Sequence, residues 1–384
     1  MRYLGLEFGM NAFQPTSPAR VLIQRHGDCK DKVLLLKALL AQVGVRSTPI
    51  LVSTSLGKSL AKRLPNAGSF NHVILQIHHA GRDHFVDPTI THQGGSLKTL
   101  FIPNYSYGLP IGNQGAELIE IPKNNLCHSE VSAHSILKME NEGEIEVETT
   151  ISYSGNEADF IRELLAREGN TALLDNLSSF YSSLHGDVIS SEIEVDDQLE
   201  KNDVRVKSYI KLTRYSNEDP VSLQPIFLGP YFTQNVDIKR QFPLSQDHPN
   251  NIREKVTFQA PILFNKVQKK RSFDHDWGSL DFSMLSHGKD LTLEYAYASK
   301  TDHISPQDLL DFRSYIRSTS KEVMRQMELP KFPENVVIFD HPSVGYALLA
   351  LAMAVFSFSL VNYFKNVKQK KKAWLLKLSL IKKR

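Results

Sequence analysis

Apolar and polar positions along the chain fall into two textures. Up to about residue 125, one long helical stretch is followed by short apolar runs. Asp28 is placed to cap a helix running through KDKVLLLKALLAQV, and Gly44 closes it, since glycine accepts the left-handed conformation of a C-cap. Cys29 then falls in the first helical turn. VRSTPILVST reads as a strand, and a polar connection follows through Pro65, Asn66 and Gly68. NHVILQI and HFVD read as two short strands around HHAGRD, where Ala80 and Gly81 suit a tight reversal.

From about 126 to 340 strands dominate. ILKMENEGEIEVETTISYSG reads as a hairpin turning at Glu142 and Gly143, with Ile145, Val147, Ile151 and Tyr153 alternating onto one face. Two helices follow, ADFIRELLARE and TALLDNLSSFYSSL, each closed by a glycine at Gly169 or Gly186. VISSEIEV, VRVKSYIKL, VDIKRQFPL, REKVTFQA and KDLTLEYAYA read as further strands between Pro, Gly and Asn clusters. A last helix starts at Ser305 and Pro306, with Asp308 at the capping-box position. The expectation is an α+β chain: a mixed domain over 1–125, then a β-sandwich-like domain with a helical insertion over 126–340. No internal repeat or low-complexity tract interrupts it.

Residues 344–364, VGYALLALAMAVFSFSLVNYF, are uncharged, and at the helical rise they extend roughly 31 Å, enough to cross a hydrocarbon layer. The basic tail over 365–384 places the C-terminus on the cytoplasmic side and the bulk of the chain outside, as in a single-pass membrane protein. The interleaved Trp374, Leu375, Leu376, Leu378, Leu380 and Ile381 either lie along the anionic leaflet or belong to a solvated tail. That topology needs an export signal, which MRYLGLEFGM lacks, so a missing N-terminal portion is expected; the alternative is a tail anchor with a cytosolic head.

Charge adds little beyond this. The formal net charge is +3 and the basic excess sits after residue 364, so nucleic-acid binding gains no support. Two cysteines, Cys29 and Cys127, form neither a disulfide framework nor a zinc spacing. Cys127 stands in an interdomain connection and reads as inert. His78, His79, His84 and His92 alternate between faces around a turn and read as solvated loop residues rather than metal ligands.

Cys29 has a different setting. A cysteine is a nucleophile as its thiolate, which a helix N-terminus or a neighbouring imidazolium favours. A two-residue turn at Ala80 and Gly81 pairs positions whose numbers sum to 161, so His72 faces Thr89, with Asp87 one diagonal step away on the same face. Shifting the turn by an even step puts His72 directly opposite Asp87. In either register a carboxylate can fix the imidazole tautomer while the other ring nitrogen points at a thiol or substrate. An odd loop would separate them onto opposite faces.

These blocks carry a family resemblance. Gly27, Asp28, Cys29, Lys30, Asp31 and Lys32 before the apolar helix, then Phe70, Asn71, His72 and Val73, then Val86, Asp87, Pro88 and Thr89, resemble the bacterial transglutaminase-like superfamily over roughly residues 1–110. The resemblance implies a papain-like core in which Cys29 attacks an amide or ester carbonyl, His72 relays the proton and Asp87 orients His72. A thioester passed to an amine gives transamidation; passed to water, it gives hydrolysis. The implied substrate is a protein or peptide-like molecule. No cofactor is implied, and neither is calcium dependence, because no EF-hand pattern is present. The later β-rich region looks like the companion module of membrane-anchored bacterial proteins of this kind, which implies an inner-membrane anchor with a periplasmic body; those proteins usually carry a further β-rich domain and an export signal upstream. One departure is that animal transglutaminases use a tryptophan near the oxyanion, whereas Trp277 and Trp374 both lie outside the candidate domain. Gln24 is the nearest amide donor before the cysteine and reads as a surface residue. Asp31 and Lys32 read alternatively as plain first-turn charges. The competing function is an inactive membrane-anchored scaffold that only binds partners, and nothing in the sequence fixes the oligomeric state.

Overall fold

The computed structural model describes residues 1–5, 13–112, 117–122, 129–140, 143–214, 221–324 and 326–327. The expected membrane span over 344–364, the basic tail, Cys127 and the hairpin residue Glu142 lie outside the described residues. Among the described residues no helix is long and apolar enough to cross a membrane. The chain is mixed α/β and divides into two compact units. The first is Met1–Ser129 with Tyr153–Arg167 and Asp197–Val204; the second is Glu130–Ser152, Glu168–Asp196 and the chain from Arg205 onward.

In the first unit, helices α1 (Pro18–Gln24) and α2 (Cys29–Gln42) precede strands β1 (Arg46–Val52), β2 (His72–His79), β3 (Arg82–Val86), β4 (Tyr107–Pro110) and β5 (Ile119–Glu120). The sheet order is β3-β2-β1-β4-β5. Strand alternation gives this sheet two apolar faces. Val73, Leu75, Ile77 and Val86 pack with Cys29 and Val33 of α2. Ile50, Val52 and Ile74 pack on the opposite side with Tyr105 and Ile121.

The β2–β3 register is the one the turn chemistry implies: Leu75 pairs Val86, Ile77 pairs His84 and His79 pairs Arg82. Ala80 and Gly81 form the two-residue turn with φ of 50° and 72°, the left-handed pair that matches strand twist. Alanine bears a steric cost there that asparagine tolerates better. Ala80→Asn should therefore stabilise the chain by about 0.5–1 kcal/mol, read as a higher urea midpoint.

Among the described residues the second texture forms one large sheet and two two-stranded ribbons rather than the expected sandwich. Strands β6 (Glu130–Lys138), β7 (Glu144–Ser154), β8 (Gly186–Gln198), β9 (Asp203–Arg214), β10 (Asn251–Gln259), β11 (Gln268–His275), β12 (Gly278–His287) and β13 (Asp290–Ser299) make an eight-stranded sheet. Its order is β8-β9-β7-β6-β10-β13-β12-β11. The two helices of the insertion are α3 (Asn156–Glu168) and α4 (Asn170–His185). Helices take the place of a second sheet. Tyr181 of α4 bonds Thr149 and Ser135, and Phe232 of α5 (Leu228–Phe232) packs on Tyr297 and on Tyr315 of α6 (Leu309–Val323). Trp277 joins this aromatic group edge-on, its ring 5.7 Å from Phe312. VDIKRQFPL is not a strand, apart from Leu244 at its end: Ile238 and Phe242 lie exposed and Pro243 has no N–H to donate to a ladder.

Candidate active site

Helix α2 begins where its cap predicts. Asp28 Oδ1 accepts from Asp31 N at 3.1 Å, and Asp31 Oδ2 accepts from Asp28 N at 3.3 Å, a reciprocal capping box. Asp31 Oδ1 also accepts from Thr16 N at 2.6 Å, which ties the segment before α1 to the same carboxylate. Gly27 must be small, because a Cβ there would stand 2.7 Å from Asp31 Cβ and 3.3 Å from Val21 Cγ1. These contacts fix Cys29 as the first residue of the helix, 6% exposed.

His72 is the first residue of β2, and strand alternation puts it with Ile74 on the face away from α2. Cys29 nevertheless lies close enough to His72 to act on its charge, because both residues begin their elements at the same end of the sheet. His72 Nε2 lies 2.8 Å from Asp87 Oδ2, the diagonal neighbour that the register implies. With Nε2 on the carboxylate, Nδ1 is the ring nitrogen left for the sulfur.

Asp87 is 3% exposed and carries more partners than a sequence reading assigns. Thr89 N at 2.9 Å and Thr89 Oγ1 at 2.6 Å both donate to Oδ1, and Tyr105 Oη donates to Oδ2 at 2.8 Å. Four donors thus fill the carboxylate's acceptor directions. Thr89 was legible as a turn residue two after an aspartate. Tyr105, 18 positions downstream, left no signal.

The electrostatics follow from this packing. Burial opposes a charge on His72, but the Asp87 bond, the nearness of Cys29 and the charges of both outweigh it, and the imidazole is raised to about 9. Burial likewise works to raise Asp87, yet the His72 and Thr89 bonds and the His72 charge hold it below the ordinary carboxylate value. Lys32 is not a solvated first-turn charge: it is 7% exposed, and burial lowers its pKa while the Asp87 charge pulls the other way. Its ammonium reaches Met1 O at 3.4 Å.

The other candidates fall outside this cluster. Gln24 spends its amide on His26 O at 2.7 Å. His78 Nδ1 lies 2.6 Å from Asp83 Oδ1, and His92 lies 3.5 Å from Glu163. The loop joining Asp87 to Tyr105 is pinned at Gly94, whose N–H donates to Asp159 Oδ1 at 2.9 Å; a Cβ on Gly94 would lie 2.6 Å from Arg162 Nη1. Arg162 in turn binds Asp159, Asp197 and Asn202.

No family model and no curated protein matches the chain. Among solved structures it is similar to one from Parabacteroides distasonis ATCC 8503 described as a putative protease, at 10% identity and a TM-score of 0.47. The match covers 85% of this chain and 48% of that one, so the chain spans about half that protein's length. A likeness at this level carries no argument about activity.

Proposed function

We propose that Cys29, His72 and Asp87 form a transglutaminase-like acyl-transfer site acting on an amide or peptide carbonyl. One observation carries the reading: a single half-buried imidazole bonded to a buried carboxylate and standing beside a thiol at a helix start. A helix start and a neighbouring imidazole are the settings in which a cysteine serves as a nucleophile. The sulfur attacks the carbonyl carbon, the C–N bond breaks, and His72 gives its proton to the departing amine. The thioester is then attacked by water or by a second amine; His72 takes the proton from that nucleophile and the C–S bond breaks, restoring the pair. Asp87 stays ionised throughout and orients the ring. Tethering through residues 344–364, with the body outside the cytoplasm, belongs to the same proposal.

The test is to treat the full chain at pH 7 with iodoacetamide and, separately, with a p-nitrophenyl ester, mapping adducts by mass spectrometry. Cys29 should alkylate faster than a free peptide thiol and should carry the acyl group. Alkylation no faster than the peptide thiol, with no acyl adduct at Cys29, would sink the proposal.

A further inference from the structure

The reaction proposed above makes two demands on His72: it must hold a proton beside the sulfur, and it must later give that proton up. A carboxylate committed wholly to the imidazolium would serve the first demand at the expense of the second. Asp87 is not so committed. Its Oδ1 is filled by the two Thr89 donors, and its Oδ2 receives His72 Nε2 and Tyr105 Oη, each at 2.8 Å.

Resting on the acyl-transfer reading, we propose that Tyr105 is a positioning residue that shares the Asp87 Oδ2 charge with His72 and so keeps the imidazolium able to release its proton. Two donors on one oxygen draw on the same electron density, and their positive ends oppose each other, so each bond is weaker than it would be alone. The phenol is held for that purpose. It is 5% exposed within the Ile50, Val52, Ile74 and Ile121 cluster, and its ring lies 5.9 Å from the imidazole. A tight local turn sets it: Tyr105 N donates to Pro103 O at 2.8 Å, Tyr107 N donates to Tyr105 O at 2.7 Å, and Ser106 takes a φ of 62°. Burial and the Asp87 charge push the phenol far above its ordinary pKa, so it remains a donor across the working range.

The test is the titration of His72 in isotopically labelled full-length protein, followed by NMR. Tyr105→Phe removes only the hydroxyl. Its His72 midpoint should rise by about half a pH unit, and breakdown of the Cys29 thioester, followed at a pH below the acyl-enzyme's own midpoint, should slow about threefold, because less neutral imidazole is present. Incorporating 3-fluorotyrosine at 105, a stronger donor of nearly the same shape, should move the midpoint down; if the Phe variant does not fold, this form decides. A midpoint that stays put or moves the opposite way would reduce Tyr105 to packing. The midpoint is measurable whether or not any acyl-enzyme forms. Failure to acylate Cys29 therefore overturns the activity, while an unmoved His72 overturns only the role of Tyr105.

Discussion

Asp87→Ala should destabilise the chain by about 3–5 kcal/mol, a loss as large as that from breaking a buried ion pair. The carboxylate it removes accepts from His72, Tyr105 and both Thr89 donors. Deleting it leaves those donors unpaired in a site 3% exposed, with Lys32 close enough to feel the missing charge. Asp87→Asn is no rescue, because its amide nitrogen, in either orientation, turns toward two of the same donors. Urea unfolding with an unchanged slope would measure the loss; a midpoint within experimental error of wild type would contradict the geometry. The signature is also pH-dependent. Asp87 is depressed in the folded state, so its contribution is present above the unfolded value near 3.8 and is lost as pH falls through its lower folded value. His72 runs the opposite way: raised from 6.5 to about 9, it contributes fully below 6.5 and loses that contribution as pH rises through about 9. Wild type should therefore be most stable between about pH 4 and 6.5, and Asp87→Ala should flatten both limbs.

His72→Ala should lower acyl transfer by about 10⁴-fold, because one group serves as proton donor and acceptor in both halves of the reaction. Iodoacetamide alkylation of Cys29 at pH 7 should slow by a smaller factor, about 10- to 100-fold, since it needs the sulfur activated but no proton relay. The gap between the two factors is diagnostic. Equal, small losses in both assays would mean that His72 only packs against Cys29. In wild type, the charge on His72 is retained at neutral pH and disappears as pH passes about 9, so the imidazole-dependent part of alkylation should fade over the same interval.

Much of the local architecture was legible from residues alone. The α2 cap at Asp28, its stop at Gly44 and the Ala80–Gly81 turn follow from side-chain capping and left-handed backbone tolerance, which act within a few residues. The turn then fixed the β2–β3 register and with it the approach of His72 to Asp87. β11 has no strand signature, because it is an edge strand with most of both faces exposed, which erases the period of two. β12, by contrast, has buried Leu280, Phe282 and Met284 alternating as a half-buried strand should, so it does carry the period of two. The expected sandwich failed for another reason. Alternation reports that a strand has one buried face, not whether a sheet or helices cover it, and here α4, α5 and α6 supply the cover.

Cys29, His72 and Asp87 were each named by local pattern, and the hairpin joins two of them, because turn and strand geometry are short-range. What the sequence could not decide is which sides the third residue and the supporting shell approach from. Cys29 reaches His72 only because α2 and β2 begin at the same end of the sheet, although alternation sends His72 to the far face. Tyr105 meets Asp87 only because the loop between them is pinned at Gly94 and turned at Ser106. Those contacts depend on how packed elements are stacked in space, and no periodicity along the chain encodes that stacking.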